Sequence, residues 1–173
     1  RVRGGGEVEA AGFGKAVVEL AIECGGAVIA LDLNGESLKA AMKSRPAERV
    51  MTVTGSVVDD ALAARTVEEA VKRFGAVHGL VNNAGITRPA MIEKMTRQQW
   101  QDVIDVHLTG AFYWLQAAGR HMVQRAKAGD KSGGPLVNTP SDPRRQGPLG
   151  PTNYAPPNAP TCGPPPPPAR GRG

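Results

Sequence analysis

From Gly12 to Glu23, the apolar residues Val17, Val18, Leu20, Ala21 and Ile22 form one broad surface and predict a helix, which Gly25 and Gly26 stop. Ala27–Leu33 is an apolar run with no polar alternation before Asp32, the pattern of a strand buried on both faces. Ser37–Lys43 reads as a short helix ending before Pro46, and Val50–Thr54 as a second strand. Ala61–Phe74 is a helix with Asp59 or Asp60 as N-cap and Gly75 just past its end. Gly79–Asn82 is a third strand. Thr96 and Gln99 form a capping box at the start of a long helix. Its stripe of Trp100, Val103, Ile104, Leu108, Ala111, Phe112 and Leu115 should face the sheet as core. Leu136–Asn138 begins a further strand. Strands and helices alternate through short connections, which predicts an α/β chain with right-handed crossovers and a Rossmann-like, doubly wound parallel sheet.

This pattern stops near residue 139. Of the 15 prolines, 12 fall in residues 139–173, ending in the run Pro164–Pro168. Proline removes backbone donors and blocks helix interiors, so this stretch is expected to be irregular, extended or disordered. The chain thus divides into an ordered domain at 1–138 and a proline-rich tail at 139–173. The net charge is +5, but the tail carries +3 of it through Arg144, Arg145, Arg170 and Arg172 against Asp142. A nearly balanced body with 4% aromatic residues offers no stacking platform, which argues against specific nucleic-acid binding. No run is long and apolar enough to span a membrane, and no secretory pattern opens the chain. Arg1 stands where a start methionine would, which reads as a fragment. Cys24 and Cys162 have no clustered partners, so both are expected as free thiols of a cytoplasmic protein, with no metal site.

Two features suggest nucleotide chemistry. Gly12-Phe13-Gly14-Lys15 opens the first predicted helix, where free amides and the helix dipole favour a pyrophosphate. Asp32 ends the next strand about 20 residues on, where a carboxylate accepts hydrogen bonds from an adenosine ribose. Taken alone, the glycines fit an ordinary helix-entry turn and Asp32 an acid in the turn before a helix.

Asn82-Asn83-Ala84-Gly85 at the end of the third strand is more specific. With Gly79–Thr87 around it and Asp105–Phe112 beyond, the chain resembles the short-chain dehydrogenase/reductase family, in particular 3-oxoacyl-acyl-carrier-protein reductases. The resemblance covers about residues 12–154. It implies a nicotinamide cofactor and hydride transfer between an alcohol and a ketone. It also implies that Gly12, Phe13, Gly14, Asp32, Val57, Asn82, Ala84 and Gly85 line the cofactor, with Ser141 and Tyr154, 13 residues apart, as the catalytic serine and tyrosine. In that role Tyr154 protonates the carbonyl oxygen and Ser141 hydrogen-bonds it. His107 stands where the family has an asparagine that supports a water relay, and histidine can also carry protons there.

The chain departs from the family at several points. Asn158 replaces a lysine that lowers the tyrosine pKa and holds the ribose. Losing about 2–3 pKa units of support is worth roughly 3–4 kcal/mol, or a factor of several hundred in rate. The family's threonine-glycine turn is missing; Gly4–Gly6 lie too far ahead of Gly12, so the first strand, normally central, is expected to be absent. Ser56 stands for an aspartate near the adenine. After Tyr154, Pro156, Pro157 and Pro160 block the expected helix, so the C-terminal strands are expected to be missing as well.

The resulting expectation is an impaired or truncated oxidoreductase using NAD, with NADP as the alternative, because Asp32 would repel a 2′-phosphate. It would act on a small carbonyl or alcohol substrate such as a 3-oxoacyl thioester and would oligomerise by family analogy. Two other readings stay open: a non-catalytic nucleotide- or partner-binding module, and an aberrant reading frame, which the change near Thr139 would fit.

Overall fold

The structure, a computed structural model, describes residues 7–139, with side chains described from Gly12 onward. In chain order it runs α1 (Glu7–Glu23), β1 (Val28–Asp32), α2 (Gly35–Met42), β2 (Val50–Thr54), α3 (Asp60–Phe74) and β3 (Leu80–Asn82). It continues through α4 (Arg97–Ile104), a π-helical turn (Asp105–Gly110), α5 (Ala111–Lys127) and β4 (Leu136–Asn138). This is the predicted α/β alternation. The proline-rich tail, and with it the expectation that the C-terminal strands are missing, lies outside the described residues, as do residues 1–6.

The strands form two parallel ribbons. β1 pairs with β2 from Val28↔Val50 to Asp32↔Thr54, and β3 pairs with β4 from Leu80↔Leu136 to Asn82↔Asn138. Among the described residues no strand joins the two ribbons. Val18, Leu38, Met42 and Val50 form a core between α1, α2 and the first ribbon, with Ile22, Val28, Ala30 and Ala41 packed around it. Met51 is one position on and so faces the other side; it is buried too, so this ribbon is covered on both faces. There, α3 and α5 pack against each other, and small residues make the approach: Ala63, Thr66 and Ala70 on α3 and Ala118 on α5 are all buried.

Local chemistry sets the helix limits. Asp59 caps α3 by accepting the Leu62 amide at 2.9 Å. Gly75 ends it at φ 85°, a conformation that favours glycine. Thr96 and Gln99 form the capping box of α4.

Two expectations need correction. First, α1 begins at Glu7, so Gly12, Phe13 and Gly14 lie inside the helix rather than at its N-terminus. Second, the predicted stripe of the long helix holds only in part. Val103 is buried as expected and Ile104, Leu108, Ala111 and Leu115 are half-buried, but Phe112 is 54% and Trp100 36% exposed, while Gly110 and Ala118 are buried and Trp114 turns inward. Close approach by small residues determines this face. A Cβ on Gly110 would come within 3.0 Å of the Val57 side chain.

Candidate functional site

Five of the eight residues expected to line the cofactor, Asp32, Val57, Asn82, Ala84 and Gly85, lie at or just beyond the carboxyl ends of the strands, where open parallel sheets bind ligands. Asp32 ends β1 and is exposed. Its Oδ1 accepts the Asn34 amide at 2.8 Å, and its carbonyl accepts the Gly55 amide at 3.0 Å. The carboxylate is therefore held by the turn before α2 and still faces solvent. The loop after β2 follows a similar pattern. Ser56 Oγ accepts the Val58 amide at 3.3 Å, and the Val57 carbonyl accepts the Trp114 indole N–H at 3.1 Å. That carbonyl is committed to holding α5.

Asn82 ties the second ribbon together. Its side-chain amide donates to Asn138 Oδ1 at 2.9 Å and to the Ala111 carbonyl at 3.4 Å. Its carbonyl accepts both the amide and the hydroxyl of Thr139, each at 3.0 Å. Asn83 points to the opposite face, where Gly14 lies; a Cβ on Gly14 would sit 3.3 Å from Asn83 Nδ2. Gly14 thus lets α1 approach the end of β3. Ala84 is exposed in the same loop.

Gly85 and His107 fit together. A Cβ on Gly85 would lie 2.8 Å from His107 Cε1. His107 sits in the π-helical turn, a widened helix geometry often found at functional positions. Its Nε2 lies 2.9 Å from the Ile86 carbonyl and 3.1 Å from the Ile86 amide, donating to the first in one tautomer and accepting from the second in the other. Burial holds its pKa below the ordinary value of 6.5, partly offset by the Ile86 hydrogen bond. The imidazole is therefore neutral at pH 7, and its observed contacts position the loop after β3.

Asp32, Val57, Asn82, Ala84, Gly85 and His107 all lie at the carboxyl ends of the strands or in the helix turn beside them. Gly12, Phe13 and Gly14 lie within α1, whose interior amides are engaged by helical bonding. Ser141, Tyr154 and Asn158 lie outside the described residues. Sequence reasoning missed Trp114, Asn138 and Thr139 as members of this framework. Thr139 follows Leu136-Val137-Asn138, which repeats the β3 triplet Leu80-Val81-Asn82, and that repetition was the available signal for paired asparagines. Among the described residues there is no group of side chains suited to a metal ion, and no helix long and apolar enough to cross a membrane.

The family model for short chain dehydrogenases matches residues 8–156. This chain belongs to the short-chain dehydrogenase/reductase family. It is 34% identical over 148 residues to 3-oxoacyl-acyl-carrier-protein reductase of Thermotoga maritima, covering 84% of this chain and 58% of that protein. It is also 34% identical over 152 residues to peroxisomal multifunctional enzyme type 2 of Drosophila melanogaster, covering 83% of this chain and 24% of that one. Among solved structures, a short chain dehydrogenase from Mycobacterium avium matches with a TM-score of 0.72 at 28% identity, over 86% of this chain and 56% of that one. One from Streptomyces avermitilis matches with a TM-score of 0.72 at 27% identity, over 87% and 53%. This family member therefore spans just over half the length of relatives such as the Thermotoga reductase.

Proposed function

We propose that this chain carries the nucleotide-binding part of an NAD-dependent oxidoreductase that interconverts a ketone and an alcohol, with a 3-oxoacyl thioester as the substrate class. The exposed Asp32 carboxylate, fixed by the Asn34 amide at the carboxyl end of β1, carries this reading. It fits an adenosine ribose and opposes a 2′-phosphate. When bound, the nicotinamide would supply or accept the hydride. The pyrophosphate end of the site does not fit as it stands, because α1 runs unbroken through Gly12–Gly14. Exposing amides there requires the first turns of α1 to unwind, so no reaction step is derived through the cofactor. In this reading Ser141 and Tyr154 hold the substrate oxygen, and His107 keeps the loop after β3 in place.

The alternative is a nucleotide-binding module without turnover, favoured by Asn158 at the family's lysine position. Thermal unfolding titrated with NAD and then NADP tests the shared claim, since a ligand of the folded state raises stability by RT ln(1 + [L]/Kd). An upward shift with NAD, and a smaller one with NADP, is expected. No shift with either would rule out both readings. Steady-state assays of the Asn158→Lys variant then separate them: a gain of about two orders of magnitude in reductase activity supports the enzyme, and NAD binding without turnover in both forms supports the module.

A further inference from the structure

The turn between β2 and α3 lies beside Asp32, and its middle is fixed from outside. The Gly55 amide donates to the Asp32 carbonyl at 3.0 Å, which seats the start of the turn at the carboxyl end of β1. Ser56 bonds within the turn: its carbonyl accepts the Asp59 amide at 3.2 Å, and its Oγ accepts the Val58 amide at 3.3 Å. Among the described residues, the hydrogen bond that ties the middle of the turn to another element comes from α5. It is the Trp114 indole N–H, which donates to the Val57 carbonyl at 3.1 Å.

That bond orients more than one oxygen. The Val57 carbonyl and the Val58 amide belong to a single planar peptide unit and point in opposite directions. Trp114 holds one end of the unit and Ser56 Oγ the other. Gly110, at the end of the π-helical turn, lets this peptide come close: a Cβ there would lie 3.2 Å from the Val57 carbonyl oxygen. Trp114 follows one helical turn later. The glycine admits the peptide, and the indole fixes its rotation. Because Ser56 Oγ accepts from Val58, the hydroxyl keeps its own proton for an acceptor in the site. Without the indole donor, the half-buried Val57 carbonyl would have to turn toward water, because an unpaired carbonyl is costly. The Val58 amide would then leave Ser56.

We propose that Trp114 is a positioning residue for the adenosine end of the ligand. It acts through the Val57–Val58 peptide, which aims the Ser56 hydroxyl at the ligand beside Asp32. This rests on the reading of Asp32 as a ribose ligand and does not involve the pyrophosphate end of the site.

The test uses the full chain and AMP, which carries the adenosine end and one phosphate. Trp114→Phe keeps an aromatic ring and removes the donor. The Kd for AMP, read from amide shifts in a nuclear magnetic resonance titration, should rise about 10-fold, the scale of one hydrogen bond. The Kd for NAD should rise by the same factor. Ser56→Ala should also weaken AMP binding, and adding Trp114→Phe to it should cost little more. In the unaltered chain, the Trp114 indole N–H should exchange more slowly than that of the exposed Trp100 and should shift when AMP is added. Met42→Ala, in the core under α2, lowers the unfolding temperature and should leave the Kd for AMP unchanged, which separates positioning from loss of stability. The proposal is overturned by an unchanged Kd in Trp114→Phe, by an equal rise in Met42→Ala, or by additive losses in the double variant. AMP binding by the unaltered chain without NAD binding would sink the dinucleotide reading and leave this one standing. Binding of neither would sink both.

Discussion

Gly85 and His107 illustrate how one backbone position can depend on one side chain. The ring is held at Ile86, so it cannot easily move away from a methyl group placed 2.8 Å from it. Gly85→Ala should destabilise the fold by about 1–3 kcal/mol through overpacking. Pairing it with His107→Ser should recover most of that loss, and chemical denaturation of the four members of the cycle measures the coupling. The same histidine predicts a pH dependence. Its folded pKa lies below the unfolded value, so the unfolded chain takes up the proton first, and stability falls as pH drops below about 6.5. His121 shifts in the same direction, through burial and then the nearby charges of Arg125 and His78. Unfolding temperature should therefore decline from pH 7 to pH 5, and less steeply in His107→Asn. A slope unchanged in that variant would show that His107 does not contribute.

At the scale of elements, the interior glycines of α1 are the main surprise. A Cβ on Gly12 would meet nothing within 4 Å, so Gly12→Ala should stabilise α1 by about 0.5–1 kcal/mol. If nucleotide binding requires the start of the helix to open, the same substitution should weaken the NAD-dependent thermal shift. Helicity by circular dichroism and the titration together separate the two effects. The four strands, the cap at Asp59 and the capping box at Thr96 were legible because apolar runs, capping residues and glycine stops are local signals. The start of α1 was not, because residues 7–11 already form a helix ahead of the glycines that read as its opening turn. The inward face of α5 was legible only in part, with Ala111 and Leu115 half-buried but Phe112 exposed. Its contact line runs through Gly110 and Ala118, which allow close approach but contribute little to an apolar pattern. The placement of Asp32 and the Asn82–Gly85 loop at the carboxyl ends of strands was readable from the strand limits, whereas the Trp114 bond to Val57 crosses 57 positions and leaves no local trace.

For the whole molecule, the division into two ribbons has a consequence for the order of assembly. The first ribbon and its core draw on residues close together in sequence, from Val18 to Val50. The second closes only when Asn82 meets Asn138, 56 positions away. Local contacts form sooner than distant ones, because the chain between distant partners must first give up its freedom. The β1–β2 half should therefore gain exchange protection first during refolding, with β3 and β4 following together as a slower phase. Pulse-labelled amide exchange at Ala30 and Leu80 would follow the two halves separately, and simultaneous protection would mean that the contact between α3 and α5 makes them a single cooperative unit.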